Sequence, residues 1–408
     1  MLNKKTLNEY AKLVVKIGAN LQKGQGLEIS CPIEKKDFAL ALTEAGYLAG
    51  ASIVRVRWSD EDIDKLTYTY AKTENLTDIP KWLVDSKNEL VEKNFCYIAV
   101  SADNPEAFKD IPSTKLFAVA KAKSKALKKY SDSIMSNAIR WCIVSVPTKE
   151  WAKKVFPNSS NPEQELSNQI EKAMRLDADN PICAWQEHVE KLNQRADFMN
   201  KQKFSYLLFK NSIGTDLKVG LSQNHVWLCA EEKAKDGIKF VANMPTEEIF
   251  TAPHKDRVDG VLKSAMPLCL NGQIIDNFTI EFKKGKIVSF SAEKGYEALK
   301  QLIETDAGTK RLGEVALIGK NSPIAKSKVL FYNTLFDENA SCHLAIGKAY
   351  PTTILGGDKL SVSELKKLGA NDSTEHEDFM IGTNDLSVVG VKEDGQSVQI
   401  FVDGEWVI

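Results

Sequence analysis

The stretch Leu27-Glu28-Ile29-Ser30-Cys31, the helix-like run Glu34–Tyr47 and the β-branched run Ala51-Ser52-Ile53-Val54-Arg55-Val56-Arg57-Trp58 decide the fold of the first half. A short apolar strand, a helix and a second strand in this order form a crossover unit, which places the two strands side by side and parallel. Upstream, Leu7, Tyr10, Ala11, Val14, Ile17, Gly18 and Leu21 recur at three and four and predict a helix over 4–21 with one buried face. Gly24 and Gly26 end it. Downstream, Phe95–Val100 and Arg140–Val146 read as further strands, with helical stretches such as Pro112–Lys129 between them. The run Pro162–Asn200 looks helical throughout. An α/β domain with a largely parallel sheet is therefore expected over 1–202.

The texture changes after residue 203. Phe204–Phe209, Gly214–Val219, Gln273–Phe282 and Lys286–Ser291 are short strands separated by turns such as Lys283-Lys284-Gly285-Lys286. Leu386–Val391, the turn Lys392-Glu393-Asp394-Gly395, Val398–Val402 and Glu405–Ile408 repeat the pattern. The expectation for 203–408 is an α+β domain with antiparallel strands, and every metal-ligand candidate falls within it.

The 408 residues carry 54 Lys+Arg and 55 Asp+Glu, a formal net charge of −1, so no global field favours nucleic acid or an anionic membrane. No stretch approaches the ~18 apolar residues that a membrane span requires. The start of the chain lacks an apolar core followed by a small-residue cleavage site. Seven cysteines, widely spaced and without a C-x-x-C pair, suit reduced thiols. These observations predict a cytoplasmic protein.

The common hydrolase, nucleotide and dinucleotide signatures are missing: there is no G-x-S-x-G, G-x-x-x-x-G-K-[ST], H-E-x-x-H or strand-borne G-x-G-x-x-G. The five histidines then single out their neighbourhoods. His376-Glu377-Asp378 places an imidazole and a carboxylate at i and i+2, on one face if the segment is extended, ahead of the apolar Phe379-Met380-Ile381-Gly382. A solvated acidic turn is the plainer alternative. His343 lies among small and apolar residues and reads equally as a hydrogen-bonded core histidine. Glu247 and Glu248 follow Pro245-Thr246, a pattern that also opens helices. Glu314 begins an apolar strand, as edge decoration or as a ligand. Two imidazoles and at least three carboxylates in one half of the chain fit Zn, Co or Mn better than Ca or a thiolate zinc site.

Asn-Met-Pro-Thr-Glu-Glu-Ile-Phe-Thr-Ala-Pro (243–253), Leu-Gly-Glu (312–314), Asn-Ala-Ser-Cys-His-Leu-Ala-Ile-Gly (339–347), Ala-Tyr-Pro (349–351) and His-Glu-Asp-Phe-Met-Ile-Gly (376–382) follow one another in this order. Taken together they resemble the metal-dependent aminopeptidases of the aminopeptidase T, or thermophilic-aminopeptidase, family. The resemblance implies that Glu248, Glu314, His343, His376 and Asp378 hold two divalent ions (Zn, Co, Mn or Mg), with Tyr350 as a catalytic tyrosine. It also implies hydrolysis of the N-terminal peptide bond of peptides with a free N-terminus, by a homodimer. Glu314 is the expected proton carrier, with Glu247 second. A two-metal phosphoesterase and a non-catalytic metal- or peptide-binding protein are the competing readings; no Arg lies within these motifs to hold a phosphate.

Overall fold

A computed structural model of the chain describes residues 2–102, 104–270 and 273–408. The chain divides into two compact units, Met1–His188 with Glu231–Pro245, and Val189–Ala230 with Thr246–Ile408.

The first unit opens with α1 (Lys4–Leu13), capped by the Asn3 side chain on the Thr6 N–H. The expected single helix over 4–21 ends earlier, in a wide π turn at Val14–Gly18. A Cβ on Gly18 would stand 2.6 Å from Cys142 Sγ, so glycine lets this turn close on the sheet. That sheet has four parallel strands, β1 (Gly26–Pro32), β2 (Ile53–Ser59), β3 (Cys96–Val100) and β4 (Trp141–Val144), in the order β2-β1-β3-β4. Between β1 and β2 runs α2 (Lys36–Leu48). The crossover unit expected from 27–58 is thus present. The run 162–200 is two helices, Pro162–Ala173 and Pro181–Gln202. Arg175 adopts a left-handed conformation (φ 55°) that ends the first, and Asn180 precedes a proline, a position that disfavours helix.

Segment 231–245 belongs to this unit although it lies far along the chain. It forms a two-stranded ribbon, β8 (Glu231–Lys233) and β9 (Lys239–Val241), and then runs beside β4: the Ile143 N–H donates to Ala242 O (2.7 Å) and the Met244 N–H to Ile143 O (2.9 Å). β4 is the last strand of the parallel sheet, and this pairing satisfies part of its open edge. Arg140, nearly fully buried, meets the Asp236 carboxylate at the tip of the ribbon.

The second unit consists of two antiparallel sheets. The larger has nine strands: β5 (Tyr206–Lys210), β6 (Asp216–Leu221), β11 (Pro253–Lys263), β12 (Leu268–Leu270), β13 (Gln273–Lys283), β14 (Lys286–Lys294), β18 (Ser387–Val391), β19 (Ser397–Val402) and β20 (Glu405–Trp406). The expected turn at 283–286 joins β13 to β14, with Lys284 and Gly285 both at positive φ. The smaller sheet runs β17 (His376–Met380), β16 (His343–Gly347), β15 (Leu312–Leu317), β10 (Ile249–Thr251), β7 (Leu228–Cys229) in spatial order. One of its faces carries Ile249, Val315, Leu317, Leu344, Ile346 and Phe379, all buried. Phe379 packs edge-on to Phe278 of β13, 5.6 Å between ring centroids, so this face meets the larger sheet. The opposite face is where chemistry can collect. No helix among the described residues is long and apolar enough to cross a membrane.

Candidate metal centre

Register decides which side chains share that opposite face. His343 pairs with Met380 and with Ala316, and Ala345 pairs with Asp378 and with Glu314. Phe250 pairs with Ala316 and with Leu228. Directly paired residues lie on one side of a sheet, so Glu314, His343, His376 and Asp378 project together. Glu248 joins them two residues before Phe250. Strict alternation would have put Glu314 on the core side with Leu312. A bulge between Leu312 and Glu314 sets two residues against one and turns the carboxylate over to the other face.

The ligand atoms converge. His343 Nε2 lies 3.1 Å from Glu248 Oε2, 3.5 Å from Glu314 Oε1 and 4.0 Å from Asp378 Oδ1. His376 Nε2 lies 3.7 Å from Glu314 Oε2 and 3.4 Å from Asp378 Oδ1. Two triads result, Glu248–Glu314–His343 and Glu314–His376–Asp378, with ligand atoms within 4.8 Å of one another in each. Glu314 belongs to both. The side chain of His343 is 1% exposed and forms the floor, and that of His376, at 22%, stands on the rim.

These atoms suit cations and little else. His376 Nδ1 faces the Lys348 carbonyl at 2.7 Å and His343 Nδ1 faces the Ser341 carbonyl at 3.3 Å. A ring nitrogen facing a carbonyl carries a proton, which leaves Nε2 of each ring as the inward-facing nitrogen, able to ligate a metal once it sheds its own proton. Glu248 Oε2 and Asp378 Oδ1 are buried without a hydrogen-bond partner. Buried lone pairs facing one another are costly unless a cation lies between them. The electrostatics agree. Burial first, then the Asp378 and Glu248 charges, push the Glu314 carboxyl up to about 7 against the His343 hydrogen bond. His376 is raised to about 10: burial disfavours its charge, but the Asp378 and Glu314 carboxylates outweigh that. Asp378 is held low by the two imidazoles in spite of its burial. The cluster retains protons that divalent ions would replace.

All five expected ligands therefore meet in space, and the plainer alternatives for 376–378, Glu314 and Glu248 do not match the backbone. Residues 376–380 form a strand, not a solvated turn; Glu314 sits on a central strand, not an edge; and Thr246-Glu247-Glu248 leads into β10, not a helix. Tyr350 stands beside the cluster, its ring 5.0 Å from that of His376 and 6.0 Å from that of Phe250. Glu247 belongs to neither triad. Its N–H donates to Asn339 Oδ1 (2.7 Å), and its charge acts on Arg195, whose guanidinium lies 4.8 Å over the Trp406 ring. One acid escaped the sequence reading. Glu338 opens the short turn 338–340, and its carboxyl is raised by burial and by the charges of Asp378, Glu248 and Glu314. It lies one residue ahead of the motif that begins at Asn339, and no periodicity marks it.

Residues 3–406 match the thermophilic metalloprotease (M29) family. The chain belongs to that family. It is 44% identical over 402 residues to aminopeptidase AmpS of Bacillus subtilis, covering 98% of each chain. Aminopeptidase T of Thermus thermophilus is 37% identical over 409 residues, 99% of each. The solved structure of wild-type AmpT from Thermus thermophilus superposes with a TM-score of 0.93 at 36% identity, over 99% of this chain and 100% of the other. The α/β unit with its parallel sheet and the antiparallel second unit match that fold. As a member of this family of metalloproteases, the chain is a metal-dependent hydrolase.

Proposed function

We propose that this M29 metalloprotease is an aminopeptidase that removes N-terminal residues from peptides with two divalent ions held by Glu248, Glu314, His343, His376 and Asp378. The observation that carries this reading is the sharing of Glu314 between two triads that also contain two buried, unpartnered carboxylate oxygens. Aminopeptidase activity is supported by the family and by whole-length relatives that are 37% and 44% identical. When bound, divalent ions supply Lewis acidity, lowering the pKa of water and polarising a carbonyl.

The remaining steps belong to side chains. The open side of the cluster would receive the substrate's free α-amine, which restricts cleavage to a free N-terminus. A carboxyl takes the proton from the attacking water oxygen and returns it to the departing amide nitrogen. Glu314 was the expected carrier, but both its oxygens face imidazoles of the two triads. Glu338, whose carboxyl is raised by burial and by these same acidic neighbours and which is in neither triad, is the alternative we favour. The Tyr350 hydroxyl would donate to the oxyanion as it develops. The homodimer, the cytoplasmic location and the identity of the metal (Zn, Co, Mn or Mg) belong to this proposal.

The test is hydrolysis of aminoacyl p-nitroanilides and short peptides by chelated protein before and after each metal is restored, with metal content measured in parallel. Metal-restored release of single N-terminal residues at two ions per chain supports the proposal. Two bound ions without release from any free-amine substrate would overturn it and favour a binding protein or a phosphoesterase.

A further inference from the structure

The face that carries the cluster continues in apolar residues, and they differ in how far they are covered. Ala316, Ala345 and Met380 are fully buried between or beneath the ligands. Phe250 and Leu228 are only half-buried and stand directly opposite each other on β10 and β7. Glu248, just ahead of β10, and Phe250 are two residues apart, about 7 Å, and Leu228 is one inter-strand spacing further, about 5 Å. Phe250 also packs its ring edge against Tyr350, which in turn packs against His376. An apolar wall thus flanks the β10 side of the cluster, while His376 marks the opposite rim on β17.

A substrate whose α-amine and scissile carbonyl lie at the cluster has its first side chain attached at the carbon between those two groups. Resting on the aminopeptidase reading, we propose that Phe250 and Leu228 form the subsite for the side chain of the N-terminal residue and select apolar and aromatic residues there. Glycine and alanine are too short to reach this wall. An acidic side chain would lose hydration against it without gaining a partner. Small differences in a hydrophobic pocket discriminate by about 10- to 100-fold in kcat/KM, the effect to look for here. Truncation of either residue should remove the preference without touching the ligands.

The experiment compares kcat/KM for Leu-, Phe-, Ala- and Glu-p-nitroanilide in metal-reconstituted wild type, Phe250→Ala, Leu228→Ala and Leu228→Lys. The Leu/Ala and Phe/Ala ratios are expected to fall about tenfold in both alanine variants, with metal content unchanged. Leu228→Lys is expected to raise the Glu rate relative to Leu. Unchanged ratios, or a uniform loss on every substrate with metal retained, overturn the subsite. Should Phe250→Ala fail to fold, Phe250→Leu tests the same point through the Phe/Leu ratio. A wild type that cleaves none of these substrates refutes the aminopeptidase reading instead. The subsite is then judged by calorimetric binding of leucine hydroxamate and alanine hydroxamate to the metal-loaded protein. Tighter binding of the leucine compound, lost in Phe250→Ala, supports it, and equal binding in wild type overturns it.

Discussion

His343 Nε2 stands 3.1 Å from Glu248 Oε2 although β16 and β10, which Glu248 leads into, are not neighbours, because β15 runs between them. Strands two places apart are separated by about 9.5 Å, so both side chains must reach over the residue in the middle. That residue is Ala316, paired with His343 on one side and with Phe250 on the other, and fully buried. The expected result for Ala316→Leu is loss of the Glu248–His343 approach and of bound metal. The apo protein should lose about 1–3 kcal/mol from overpacking. Metal content and thermal unfolding with and without metal separate the two effects; normal metal content in a folded Ala316→Leu protein would refute the argument.

The bulge at Gly313 turns Glu314 towards the cluster, and its backbone has no room for a side chain. A Cβ there would lie 2.4 Å from the carbonyl oxygens of both Gly347 and Lys348. Lys348 O is also the acceptor for His376 Nδ1. Gly313→Ala should therefore cost about 2–3 kcal/mol of stability and disturb Glu314 and His376 together. Denaturant unfolding and metal titration of the same preparation check both parts.

Glu314 and Glu338 can be told apart by what each loses. Glu314→Gln removes charge from both triads and should abolish metal binding and activity alike. Glu338→Gln should keep its metal and lose kcat by about 10²- to 10⁴-fold, the usual contribution of a positioned acid or base. Parallel metal analysis and steady-state kinetics decide; a Glu338→Gln enzyme with wild-type kcat returns the proton to Glu314.

Asp306 supports β17 from outside the cluster. Its carboxylate accepts from the N–H groups of Gly308 (2.7 Å), Thr309 (2.8 Å) and Thr374 (2.8 Å) and from the Ser373 hydroxyl. Partial burial raises its pKa, but these donors, led by the Thr374 N–H, bring it below the ordinary 3.8. A lowered carboxyl stabilises the fold above its unfolded pKa, and that stability is lost as pH falls through the folded value. Asp306→Ala should cost about 1–2 kcal/mol at neutral pH, and the gap to wild type should close as pH drops below 3.8. A gap independent of pH would show that packing, not the carboxylate, is responsible.

Much of this site was legible before any folding was considered. A histidine or acid within apolar sequence is already an anomaly, because burying it requires a partner, and His343, Glu314 and His376-Glu377-Asp378 announce themselves in this way. Period and turn chemistry likewise set the crossover unit at 27–58 and the antiparallel hairpins after 203, since both are local. The sequence alone determined the candidate donors, the two textures and their order along the chain. Tertiary structure decided what depends on long-range pairing. It chose the face of Glu314, through a bulge that alternation cannot anticipate, and it bridged Glu248 and His343 over Ala316. It also brought Glu338 in from a loop and laid 242–244 along the open edge of β4. Each of these is a relation between segments apart in the chain, which tertiary pairing sets and the residue types alone do not.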